Sequence, residues 1–154
     1  MALSSQRADA APVRQRVERL GRAYRDAWAQ VGHPADAADI AVAVHGFVGD
    51  DDRQAKATYL EHELLMFTTG AAEIGRPPMA PPGRDAQLEP GGMVFAGGLD
   101  EVADRILQLH AQLGHTRQIL QMDVGGMPHA TFLKGIELLG SEVLPPIRKE
   151  LGEG

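Results

Sequence analysis

The sequence predicts an α/β fold with parallel strands. Three observations carry this. Two runs, 40–48 and 118–124, are apolar and rich in β-branched residues, as strands covered on both faces must be. Stretches with apolar residues at helical spacing flank both runs. The order is therefore helix, strand, helix, loop, helix, strand, helix, and strands separated by helices pair in parallel. At 154 residues the chain can bury a compact core. It is shorter than the roughly 250 residues of a complete eight-stranded α/β barrel.

Each element has a local reason. Residues 1–11 are rich in Ser, Ala, Arg and Asp and read as a flexible N-terminus. The segment proper spans 12–151. Its first helix runs from about Pro12 to Val31, with Val13, Val17, Leu20, Tyr24, Trp28 and Val31 on one face. Gly32 and Pro34 stop it. After the first strand, Asp50, Asp51 and Asp52 place three carboxylates where a helix N-terminus is positive. The helix that follows, about Arg53 to Ala72, carries Tyr59, Leu60, Leu64, Met66 and Phe67. A loop at 75–92 contains Pro77, Pro78, Pro81, Pro82 and Pro90, with one short turn near Asp85 to Leu88. Loops of this length serve either as binding loops or as plain surface excursions, and both readings stand. Met93 to Ala96 is a short extended piece. The next helix buries Leu99, Val102, Ile106, Leu109 and Leu113 and ends at Gly114. The last helix turns Phe132, Ile136, Leu139, Val143 and Ile147 inward. Pro145-Pro146 kinks or restarts it.

Composition narrows the function. The net charge of −6 argues against a nucleic-acid or anionic-membrane surface, which needs a basic face. Arginines 14 to 25 alternate with Glu18 and Asp26, as on a solvated helix face. With no cysteine, disulfides, thiolate metal sites and cysteine nucleophiles are excluded. No stretch approaches the roughly 18 apolar residues of a membrane helix. The N-terminus lacks the apolar core of a signal peptide, so a soluble, cytoplasmic protein is expected.

Two strand ends carry candidate chemistry. Gln121 to His129 places Asp123, Gly125, Gly126 and His129 directly before a helix. Ligands of α/β proteins bind at such carboxyl ends. Paired glycines admit a ligand close to the backbone, and the helix start favours an anion. The same residues also suit a tight strand-to-helix turn with Pro128 at its first helical position. His45 and Gly46 end the other strand run. A histidine there can donate to a ligand or take a proton, or serve as a hydrogen-bonded core group. His110 and His115 are five apart, which misaligns them on a helix, and His62-Glu63 lacks the second histidine of a zinc-protease motif. No metal site is expected.

Several of these stretches together resemble one family. Phe95-Ala96-Gly97-Gly98-Leu99-Asp100-Glu101-Val102-Ala103, the helix end Leu113-Gly114-His115, and residues 119–143 are similar to the C-terminal third of bacterial-luciferase-like flavin monooxygenases. Residues 24–47, with Trp28, Gly32-His33-Pro34 and Val42 to Phe47, resemble the seventh-strand region, and the Asp123 to His129 turn the end of the eighth strand. The likeness runs from about Val13 to Arg148. It implies a partial (β/α)8 TIM barrel containing the last two βα units. It implies reduced FMN, or the deazaflavin F420, across the barrel mouth, with O₂ and an organic substrate as co-reactants. His129 and His45 are then candidate catalytic residues, and Gly46, Asp123, Gly125 and Gly126 candidate cofactor-binding residues. The family's first six βα units and most of its flavin contacts would precede this chain. A truncated enzyme, a half-barrel partner and a self-associating, non-catalytic remnant are the readings that follow.

Overall fold

The computed structural model describes residues 11–77 and 83–152, the side chains of 11–14 excepted. Of the flexible N-terminus expected at 1–11, residues 1–10 lie outside the described residues and Ala11 already begins a helix; Pro78, Pro81 and Pro82 of the loop also lie outside them.

The chain opens with helix α1 (Ala11–Gln30), closed by a hydrogen bond from Trp28 Nε1 to the Pro34 carbonyl, 2.8 Å. Strand β1 (Ala41–Val48) follows a single 3-10 turn at Ala35–Ala37. Helix α2 is Asp52–Glu73, and a short helix α3, Arg84–Leu88, occupies the end of the loop. Strand β2 (Val94–Gly97), helix α4 (Leu99–Leu113) and strand β3 (Arg117–Gln121) come next. The chain continues through α5 (His129–Leu138), a π-helical turn (Leu139–Val143) and α6 (Leu144–Leu151).

All strand pairs are parallel, as expected, but among the described residues there are three strands, in the order β2-β1-β3. This corrects the expectation of two βα units. Met93 to Ala96 is too short to show an alternation of its own, yet Val94–Gly97 pairs with His45–Val48. The two strands read by resemblance as seventh and eighth are thus not consecutive, because β2 lies between them in the chain. Nor does β3 pair with β2. It joins the opposite edge of β1, whereas successive strands of a closed α/β barrel are neighbours. The pairing is staggered along β1. Ala41 to His45 meets β3, and His45 to Val48 meets β2.

Side chains bolt these elements together. Asp51, one of the three carboxylates expected at this helix start, caps α2 by accepting from Gln54 N at 2.8 Å. Asp52 accepts from Lys56 Nζ at 2.9 Å and from Gly98 N at 3.2 Å, tying α2 to the start of α4. Those bonds, the Lys56 one first, hold the Asp52 carboxyl below its usual 3.8. Buried Tyr59 donates to Glu63, which in turn accepts from Arg84 Nε at 2.6 Å and so pins α3 to α2. Burial, then the Glu63 charge, pushes the Tyr59 phenol well above its ordinary range. Val48, Phe95 and Val102 are fully buried at the core.

Helix α1 departs from expectation. Its stripe is only loosely covered: Val17, Leu20 and Tyr24 border an open groove with Ile40, Val42 and Leu113, and Leu20 is 61% exposed and Val31 70% exposed. The helix touches the body chiefly at the end of α4. There Gly21 lies against Leu113, and Arg25 donates to the Leu113 and Gly114 carbonyls. At the other end of the chain, Pro145 cannot donate to the carbonyl four residues back. The widened turn at Leu139–Val143 absorbs that break, and α6 restarts with prolines in its first turn.

Where α4 meets β3, His115 is 3% exposed and its Nδ1 has no partner. Burial holds its pKa below 6.5, with the neighbouring His110 adding to the effect and Gln118 opposing it. The unfolded chain therefore takes up a proton that the folded chain resists. The contribution to stability is complete above pH 6.5 and is lost as pH falls through the depressed folded value. We expect a melting temperature that declines between about pH 7 and pH 5. The decline should be smaller in His115→Phe; an identical pH slope in the variant would show that His115 does not contribute.

Candidate functional site

The carboxyl end of β1 opens into a cleft of about 350 Å³. It exists because β1 feeds α2 and the turn after β3 feeds α5, so two helix N-termini converge on one strand end. Phe47 and Val48 form its apolar floor, Asp50 and Asp51 line the α2 side, and Thr131 and Lys134 line the α5 side. Gly135 makes room for it. A Cβ at that position would lie 2.9 Å from Met122 Cε and 3.0 Å from Phe47 Cε2.

None of the candidate residues read from the sequence lines this cleft, and they fall into two groups. His129 is exposed and is the first residue of α5, immediately before the cleft-lining Ala130 and Thr131. Asp123 is exposed in the turn that precedes it. Gly125 and Gly126 have φ of +60° and +68°, which glycine adopts without penalty. Gly125 also sits directly on α2. A Cβ built there would lie 1.6 Å from the His62 carbonyl oxygen. That approach accounts for the glycine without any ligand. Gly126 faces open space.

His45 and Gly46 belong to the second group. His45 stands in mid-strand, where both pairings overlap, and its Nδ1 is buried without a hydrogen-bond partner. Gly46 is buried between the Phe95 carbonyl, 2.4 Å from a notional Cβ, and Leu120. Among the described residues no hydrogen bond joins His45 to His129. The other histidines serve locally. His62 Nδ1 contacts the Thr58 carbonyl at 2.8 Å, and His110 Nδ1 the His115 carbonyl at 2.9 Å. Among the described residues no three His, Asp or Glu side chains are grouped to hold a metal ion.

Beside the cleft lies an ionic network that the residue-by-residue reading missed. Lys56 bonds Asp52 and reaches Glu101 at 3.4 Å, and Glu101 accepts from Arg105 Nε at 2.8 Å. Burial works against the Lys56 charge, but the Asp52 and Glu101 carboxylates outweigh it and raise its pKa. Arg105 is 2% exposed and donates also to the Val94 and Leu88 carbonyls. The signal was present. Asp52/Lys56 and Glu101/Arg105 are both acid-then-base pairs at i,i+4 in the first turns after a strand.

A flavin phosphate does not fit these residues. It needs charge-assisted donors, above all arginine. The cleft offers only Lys134, which already reaches Glu137 at 3.4 Å, and it faces Asp50 and Asp51. The positive end of α2 is also taken by its own Asp51 cap.

No family model matches the chain, and no curated protein matches it. Solved structures do. The monooxygenase RslO1 from Streptomyces bottropensis superposes with a TM-score of 0.64 at 20% identity, over 86% of this chain and 38% of its own. The oxygenating constituent of 3,6-diketocamphane monooxygenase from Pseudomonas putida, a type II Baeyer-Villiger monooxygenase solved with FMN, gives 0.60 at 20% identity, over 84% and 39%. The long-chain alkane monooxygenase LadA gives 0.54 at 14% identity, over 88% and 34%. The chain thus spans about two fifths of the length of the structures it matches. Over more than four fifths of its residues, it has the fold of these monooxygenases.

Proposed function

We propose that this chain supplies βα units to a luciferase-like flavin-dependent monooxygenase, a partial (β/α)8 barrel in which reduced FMN and O₂ oxidise an organic substrate. The fold it shares with three monooxygenases, one of them solved with FMN, is the observation that carries the reading. F420 is the alternative flavin. In this reading the flavin phosphate is gripped by βα units outside the chain, since the cleft here lacks donors for it. His129 and His45 are the proposed catalytic groups, and Gly46, Asp123, Gly125 and Gly126 border the cofactor. No helix of the described residues is long and apolar enough to cross a membrane, and we place the enzyme in the cytoplasm. A second reading, a non-catalytic remnant that self-associates, draws support from the loosely covered apolar stripe of α1.

Two measurements test the first reading. The isolated chain should bind FMN more weakly than about 1 μM, the equivalent of roughly −8 kcal/mol; tighter binding contradicts the division of labour proposed. Grafted onto the remaining units of a relative, the chain should restore flavin binding and O₂-dependent turnover. In that hybrid His129→Ala should lower kcat/KM at an almost unchanged melting temperature. A variant that loses only stability assigns His129 to the helix start instead.

A further inference from the structure

His110 and His115 are five residues apart, but they do not share a helix. Helix α4 ends at Leu113, and Gly114, with φ of +57°, turns the chain back on the last turn. The His115 ring therefore packs against the His110 ring, with centres 5.3 Å apart and planes at 67°. Two imidazoles bound to one tetrahedral ion at the usual metal–nitrogen distance of about 2.0–2.1 Å hold their centres about 5 Å apart, so this separation suits a shared ion.

The hydrogen bonds leave the right atoms over. His110 Nδ1 faces the His115 carbonyl at 2.9 Å. A carbonyl only accepts, so Nδ1 carries the hydrogen and Nε2 of the neutral ring keeps its lone pair. A backbone carbonyl behind the ring is a usual support for a metal-ligating histidine. His115 is 3% exposed, and its buried Nδ1 has no hydrogen-bond partner among the described residues. Gln118 Oε1, three residues on, is a second buried atom without one. Its amide nitrogen is directed at the Ile119 carbonyl, 3.2 Å away, which leaves the oxygen as the free end. Gln118 lies close enough to His115 to influence it, yet the two orphaned atoms do not meet in hydrogen-bond geometry. Buried polar atoms are rarely left unpaired, and an ion between them satisfies both.

Charge and donor type narrow the ion. His110 stands in the last turn of α4, where the helix end favours a cation. Arg25 draws on the same end through the Leu113 and Gly114 carbonyls, which moderates the affinity. The donors are two imidazole nitrogens and one amide oxygen, with no carboxylate. That set suits zinc and similar divalent ions, and not magnesium or calcium, which need several oxygens.

We propose that His110 Nε2, His115 Nδ1 and Gln118 Oε1 hold a zinc-type divalent ion, with the fourth position open to water on the half-buried His110 side. The ion would tie the end of α4 to the start of β3. This is the amino end of β3, and β3 runs parallel to β1, whereas the cleft lies at the carboxyl end of β1. The site is therefore separate from the cleft and does not depend on the flavin reading.

Calorimetric titration of the full chain, free of any affinity tag and stripped with a chelator, tests it. Zinc should bind one ion per chain with micromolar affinity and raise the melting temperature, while magnesium should do neither. Cobalt(II) in place of zinc should show the visible absorption of a four-coordinate ion. His110→Phe, His115→Phe and Gln118→Leu should each weaken zinc binding by at least about tenfold, and circular dichroism should show them folded. His33→Ala with His129→Ala, which removes two exposed imidazoles, should bind as the wild type does. A wild type that takes up no zinc at about 1 mM overturns the proposal. So does a cobalt spectrum of six-coordinate type, binding lost with His33 and His129, or binding that any of the three folded ligand variants leaves unchanged.

Discussion

Gly125→Val should leave little folded protein. The substitution fails twice. Valine resists the φ of +60° found there, at about 1–2 kcal/mol. Its Cβ must also occupy a point 1.6 Å from the His62 carbonyl oxygen, which is the backbone of α2 and cannot rotate away. Overpacking of this kind costs about 1–3 kcal/mol where neighbours can yield, and more where they cannot. Together these take a large share of the roughly 5–15 kcal/mol that holds a typical domain folded. Gly126→Ala is the comparison. Its φ is +68°, but its surroundings are open, so only the backbone term of about 1 kcal/mol applies. Thermal melts of Gly125→Ala and Gly126→Ala side by side decide the matter. Equal, small losses would mean that the turn does not rest on α2 as described.

The second large effect belongs to Arg105→Met. The replacement fills similar space but leaves the Leu88 and Val94 carbonyls and the Glu101 carboxylate without their donor. Each carbonyl left desolvated without a donor costs about 1–3 kcal/mol, while Glu101, 26% exposed and still reached by Lys56, loses less. Arg105→Lys should recover only part of the loss. Lysine keeps the charge but cannot fork to two carbonyls and a carboxylate at once. Urea unfolding of the two variants provides the check. A loss below about 1 kcal/mol for the methionine variant, typical of an exposed ion pair, would show that the site is wetter than its burial indicates.

Parallel pairing and the helix order were legible in the sequence because they follow from patterns longer than one turn. The Asp51 cap, the stop at Gly114 and the short helix near Asp85 were legible because turn chemistry is local. The third strand was not. Four residues starting at Val94 carry too little alternation, and their pairing with β1 is a contact between distant parts of the chain. The fate of the α1 stripe was hidden for a related reason. Periodicity shows that Leu20 and Tyr24 share a face but not whether this chain covers it. Within the candidate site, the sequence read the Gly125-Gly126 pair as room for a ligand beside the backbone. It could not show that the approaching group is the α2 backbone. His45 read as lying at the strand end, but the hydrogen-bonded strand continues three residues past it, to Val48.

The staggered pairing of β1 grades the stability of the sheet along a single strand. Its second half is flanked by β2, the buried Phe95 and the Arg105 anchor. Its first half has β3 on one side, an uncovered face, and a thinly attached α1. Local opening costs least where buried apolar contacts are few. Backbone amides of Ala41 to Ala43 therefore belong to a unit that opens to solvent and proteases at a lower free energy than Phe47 and Val48, five residues along the same strand. The hinge between the two regimes is His45, which belongs to both pairings.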